Sequence, residues 1–123
     1  MNRKDTVLIV EDEDILRDLL SLMFEENGFK VLAAVDGIDA LEVFTAHKDE
    51  IGVVLSDIGL PRLGGWETFL KMREIDPELK VILASGFYNT GVKEELLKAG
   101  AKNFIQKPYN TKEVITMLRE MLE

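Results

Sequence analysis

Five short runs of apolar, largely β-branched residues punctuate the chain: Thr6–Val10, Lys30–Ala34, Ile51–Ser56, Lys80–Ala84 and Asn103–Gln106. Side chains branched at Cβ are stiff and pack well on a pleated surface, so each run predicts a strand. Between them, apolar residues return at helical spacing. They are Ile15, Leu16, Leu19, Leu20 and Met23, then Leu41 and Phe44, then Phe69 and Met72, then Leu96 and Leu97, and last Val114, Ile115, Leu118 and Leu122. Leu16, Leu19, Leu20 and Met23 read as core. Boundary signals agree: Asn27-Gly28 closes the first helix, Asp36-Gly37 opens the second and Ala99-Gly100 closes the fourth. Asp14 is placed to cap the first helix.

Strands that alternate with helices imply βαβ units, hence a parallel sheet with helices on both faces. Val7-Leu8-Ile9-Val10 and Val53-Val54-Leu55 are apolar without alternation, as strands covered on both sides must be, whereas an edge strand alternates. The pattern reads as an α/β fold of (βα)5 form. A length of 123 residues fits one domain, 1–123, and the last helix consumes the residues up to Glu123, so no effector domain is expected. There are no cysteines and one histidine, His47, which excludes disulfide frameworks, thiolate metal sites, cysteine nucleophiles and multi-histidine centres. His47 itself reads as a solvated residue near a helix C-terminus. The formal net charge of −8 repels phosphate backbones and anionic lipid, so no direct nucleic-acid partner and no membrane partner are expected. No apolar run approaches the roughly 18 residues that span a bilayer, and a cytoplasmic location is expected.

Open parallel sheets do their chemistry beyond the carboxyl ends of the strands. Strand one runs into Glu11-Asp12-Glu13-Asp14 and strand three into Ser56-Asp57. If those strands are neighbours, Glu11, Asp12 and Asp57 converge, and their mutual repulsion costs stability unless a cation sits among the oxygens. Carboxylates without histidine or cysteine favour a hard cation, and an open site with few protein ligands suits Mg2+, with Mn2+ as a substitute. Strand four ends in Ala84-Ser85-Gly86, a hydroxyl, and strand five is followed by Lys107-Pro108, an ammonium. Acids, hydroxyl and lysine around a divalent cation suit phosphoryl transfer to a carboxylate nucleophile. The chain contains neither GxxxxGK[ST] nor GxGxxG, so the phosphoryl group must arrive on another molecule.

Taken in order, Glu11-Asp12, Asp57, Ser85 and Lys107-Pro108 resemble the motif set of response-regulator receiver domains of two-component, phosphorelay signalling, and the likeness covers essentially the whole chain. It implies a flavodoxin-like, doubly wound (βα)5 fold with a five-stranded parallel sheet in the order 2-1-3-4-5. Asp57 is implied as the phosphoacceptor, supplied by a sensor histidine kinase, a phosphotransfer protein or a small donor such as acetyl phosphate. Asp12 is implied to bind Mg2+ directly, Glu11 largely through water, and the Gly59 carbonyl to be a further ligand. Lys107 is implied to hold a phosphoryl oxygen, Ser85 to move toward it and Phe104 to be the switch aromatic. The Lys107-Pro108 bond is implied to be cis. Phosphorylation is then expected to switch the face of the fourth helix, fifth strand and fifth helix, offering it to a partner or a second protomer as a dimer. One of Ile15 and Leu16 is expected to stay exposed as a kinase-docking surface. Such a domain is a signalling phosphoacceptor and not an enzyme acting on an external substrate.

The chain departs from the family pattern in places. Glu11 replaces the commoner Asp, Phe104 replaces the common tyrosine and loses its hydroxyl, and Gly64 stands where an Asp is usual. The stretches Leu60–Trp66 and Ala84–Phe87 resemble receivers attached to hybrid histidine kinases. Three rival readings are a pseudo-receiver that binds partners without phosphorylation, a magnesium-dependent phosphatase and a flavin binder. Intact Asp57, Ser85 and Lys107 oppose the first. The absence of a second acid in Asp57-Ile58-Gly59 opposes the second, and an acidic loop after strand one opposes the third.

Overall fold

The computed structural model describes residues 5–57, 65–85, 98, 103–106 and 110–122. In chain order these contain β1 (Thr6–Val10), α1 (Asp14–Glu26), β2 (Lys30–Ala34), α2 (Gly37–His47), β3 (Ile51–Asp57), α3 (Gly65–Ile75), β4 (Lys80–Ser85), β5 (Asn103–Gln106) and a last helix (Thr111–Leu122). Of the predicted fourth helix only Lys98, which is helical, is among the described residues; Leu96, Leu97 and the Ala99-Gly100 end lie outside them. All strands pair in parallel, in the order β2-β1-β3-β4-β5.

Successive side chains of a strand point to opposite faces, and the core divides accordingly. Val7 and Ile9 meet Leu20 and Phe24 of α1 and Val114 and Leu118 of the last helix, whereas Leu8 and Val10 meet Ala40 and Phe44 of α2 and Phe69 and Met72 of α3. Both faces of β1 are therefore covered, which is why all five of its residues are buried and its sequence does not alternate. β2, at the sheet edge, is mostly part-buried or exposed. The register slips between β1 and β3: Thr6 pairs with Ile51 but Val7 with Val53, so Gly52 is the extra residue of a bulge. In consequence Ile51 joins the α2–α3 side of the core while Val53 joins the other.

The end of α1 follows from Asn27-Gly28-Phe29. Gly28 has φ of 91°, a conformation glycine enters without a Cβ penalty. The Gly28 N–H donates to the Glu25 carbonyl at 3.1 Å and the Phe29 N–H to the Phe24 carbonyl at 3.0 Å, a Schellman closure. Phe29 then meets Phe24 edge-on, with ring centroids 6.3 Å apart.

At the start of α2, the Asp36 side chain accepts from the Asp39 N–H at 2.8 Å, and Asp39 Oδ2 accepts from the Val35 N–H at 3.0 Å. Reciprocal bonding of this kind satisfies donors that a helix start leaves open. Asp36 is also buried. Asp36→Ala is therefore expected to lower unfolding free energy by about 1–2 kcal/mol, read as a lower urea midpoint with unchanged slope. A midpoint equal to wild type would remove the cap from the account.

Two expectations need correction. Asp14 does not cap α1: the cap position is Glu13, whose side chain makes no cap bond, and Asp14 is the first helical residue. Leu19 is not core but half-exposed, because it falls on the outer side of α1, one turn after the exposed Ile15. Leu20 is buried as expected, and Leu16 and Met23 pack against the core. No helix among the described residues is long and apolar enough to cross a membrane.

Candidate functional site

The pairing of β1 with β3 sets Val10 opposite Ser56, so the residues that follow, Glu11 on one strand and Asp57 on the other, emerge side by side at the carboxyl edge of the sheet. The Glu11 N–H donates to the Ala34 carbonyl at 3.1 Å, which extends the β1–β2 ladder and fixes the Glu11 backbone. Glu11 is 1% exposed and Asp57 9%, while Asp12 lies open to solvent. Each of the three offers a carboxylate oxygen, and those oxygens all lie within 4.8 Å of one another.

Carboxylates this close favour a cation among their oxygens. The donor set fits that cation: oxygens only, hard, one side open to water. Oxygens within 4.8 Å of one another are near enough for one small divalent ion to be shared by all three. Glu11 also orders its own loop, since its Oε2 accepts the Glu13 N–H at 3.1 Å.

Ser85 is the last residue of β4, one position beyond Ala84, which pairs with Asp57. Its backbone therefore reaches the same sheet edge as the acids. Phe104 lies in β5, paired with Leu83 of β4. Gly59, Lys107 and Pro108, together with the Lys107-Pro108 peptide bond, fall outside the described residues, as do Gly64 and Phe87; Lys107 directly follows the end of β5 in sequence. Ile15 is 85% exposed beside the acids, and Leu16 is partly buried. His47 ends α2, with Nδ1 2.7 Å from Glu50 Oε2, both on the surface.

Arg17 is the residue that motif reading passed over. Its guanidinium donates from Nη1 to the Glu11 carbonyl at 2.9 Å and from Nη2 to Asp14 Oδ1 at 2.5 Å, and the side chain is only 14% exposed. The available signal was the Asp14–Arg17 spacing, three apart on a helix, where opposite charges meet.

Residues 7–119 match the family model of the response regulator receiver domain. The chain is 33% identical over 116 residues to the chemotaxis protein CheY of Thermotoga maritima, covering 94% of this chain and 95% of that one. It is 32% identical over 118 residues to the sensor kinase CckA of Brucella abortus, covering 96% of this chain but 12% of the kinase. Among solved structures it is similar to the CheX-CheY-BeF3-Mg2+ complex from Borrelia burgdorferi, with a TM-score of 0.90 and 28% identity over 96% of this chain and 89% of that one.

Proposed function

The chain belongs to the response regulator receiver family of two-component signalling, and from that premise we propose that Asp57 accepts the phosphoryl group, with Glu11 and Asp12 holding Mg2+ beside it. The observation that carries this reading is the gathering of Glu11, Asp12 and Asp57 within 4.8 Å at the carboxyl ends of the two central strands β1 and β3. When bound, magnesium supplies positive charge against the three carboxylates and the incoming phosphoryl oxygens.

An Asp57 carboxylate oxygen attacks phosphorus. The bond from phosphorus to the donor, an imidazole nitrogen of a kinase or phosphotransfer protein or the acetate oxygen of acetyl phosphate, breaks with its electron pair leaving on the donor. Glu11, packed at the sheet edge beside Asp57, and Asp12, open to solvent, would hold the ion from the β1 side. The Gly59 carbonyl would be the remaining protein ligand. Lys107 binds a phosphoryl oxygen and Ser85 donates a hydrogen bond to another. The modification adds about one to two negative charges and three acceptor oxygens. The pull on Ser85 vacates space for Phe104, shifting the face of the predicted fourth helix, β5 and the last helix from one arrangement to another. That face then meets an output partner or a second protomer. The domain acts in the cytoplasm, where its kinase presents the phosphohistidine. The Borrelia burgdorferi CheY neighbour, solved with BeF3, Mg2+ and CheX, supports both the metal and a protein partner.

Intact-mass spectrometry after brief incubation with acetyl phosphate tests the reading. A gain of one phosphoryl group with magnesium and none without it is the expected result. No gain together with no magnesium binding would replace this reading with a non-phosphorylated interaction module.

A further inference from the structure

The β1–α1 loop must hold Glu11 and Asp12 against Asp57 although α1 starts without a side-chain cap at Glu13. Arg17 reaches back across that loop. Its backbone N–H donates to the Glu13 carbonyl at 2.9 Å, and its guanidinium bridges the Glu11 carbonyl, at 2.9 Å, and Asp14 Oδ1, at 2.5 Å. One planar fork thus fixes the distance from the end of β1 to the first turn of α1. Asp12 lies on the chain between the two points held. The Arg17 side chain is 14% exposed and its bond to the Glu11 carbonyl is part-buried, whereas the Asp14 end of the fork lies at the surface, so the contact to Glu11 is the arm that ties the loop down.

The geometry points to Arg17 as a positioning residue for the metal-binding acids, holding the loop so that Glu11 and Asp12 face Asp57. The inference rests on the proposed magnesium site and goes beyond it. Charge and positioning make opposite demands here. A cation bonded to the acidic loop, at the Glu11 carbonyl and Asp14, weakens the attraction of that loop for a divalent ion, so on Coulomb grounds alone removing Arg17 tightens magnesium binding. If Arg17 acts by holding the loop, its removal weakens binding, because the carboxylates must then be ordered at the moment of binding.

Arg17→Met and Arg17→Lys, each in the full chain, separate the two. Calorimetric titration with magnesium is expected to show a Kd raised about 10-fold in Arg17→Met, at the lower end of losses for groups that orient metal ligands. Arg17→Lys keeps the charge without the fork and falls between that variant and wild type. Amide hydrogen exchange without metal is expected to quicken at the Glu13 N–H, which bonds Glu11 Oε2. With acetyl phosphate, the half-saturating magnesium concentration rises by the same factor as Kd and the plateau rate moves far less. A Kd that is unchanged or lower in Arg17→Met overturns the inference, and so does a collapsed plateau rate with Kd unmoved. Should Arg17→Met not fold, Arg17→Lys decides on the same readouts. A wild-type chain that binds no magnesium overturns the site reading itself; faster Glu13 exchange in the variants would then mark Arg17 as holding the loop with no metal role.

Discussion

Asp57→Asn is expected to leave a folded protein that takes up no phosphoryl group from acetyl phosphate at any magnesium concentration. The substitution keeps the shape of the side chain at a position 9% exposed, so the packing of β3 between β1 and β4 survives. What is lost is the anionic oxygen, and an amide is a far poorer nucleophile; loss of a covalent nucleophile costs at least about 1,000-fold in rate. The neighbouring acids predict graded effects. Glu11 is 1% exposed and its Oε2 is engaged by the Glu13 N–H, so it is poorly placed to attack the phosphorus of a bulky donor. Asp12 is exposed, and Asp12→Asn should weaken magnesium binding and slow uptake while leaving the acceptor intact. Intact-mass spectrometry over a magnesium series, with circular dichroism for the fold, distinguishes the three positions. Phosphoryl uptake that persists in Asp57→Asn and disappears in Asp12→Asn would move the acceptor to the β1–α1 loop and sink the assignment.

The strands were legible because each rests on local chemistry: Val7-Leu8-Ile9-Val10 could be read as doubly covered from its lack of alternation, and it is buried throughout. Asp36-Gly37 and Asn27-Gly28 were legible for the same reason, since caps and closures are satisfied within a few residues. The convergence of Glu11, Asp12 and Asp57 needed β1 and β3 to be neighbours, which periodicity cannot say; the likeness to receiver domains supplied the order. Less legible features depend on three-dimensional competition. The bulge at Gly52 puts Ile51 and Val53, which a regular strand would keep on one face, on opposite faces; the glycine inside an apolar run was the mark available for it. Asp14 carries a good capping side chain, yet the helix begins at Asp14 itself and its carboxylate goes to Arg17. Leu19 keeps helical spacing with Leu16 and Met23 but turns toward solvent, since spacing names a stripe and not the width of the surface that covers it.

Phe44→Ala is expected to lower unfolding free energy by about 3–5 kcal/mol. Phe44 is fully buried on α2, in the cluster that joins α2 and α3 to Leu8 and Val10 of β1 and Val54 of β3. Removing the ring loses its transfer free energy and leaves a void that neighbours on two helices and a paired sheet cannot close without breaking ladder bonds. A domain of this size holds about 5–15 kcal/mol in all, so the variant would sit near the limit of folding. Phe44→Leu refills most of the space and should cost about 1–2 kcal/mol, which separates the cavity from any general loss of apolar area. Ile15→Ala, at a residue 85% exposed, should stay within about 0.5 kcal/mol of wild type. Urea denaturation of the three variants checks the ordering. Because the same cluster underlies the ends of β1 and β3, loss of Phe44 should also loosen the edge from which Glu11 and Asp57 emerge, weakening magnesium binding even where the fold survives. A Phe44→Ala protein with wild-type stability would mean that α2 and α3 can collapse onto the sheet, and that the packing of this face is not what holds the acidic edge in register.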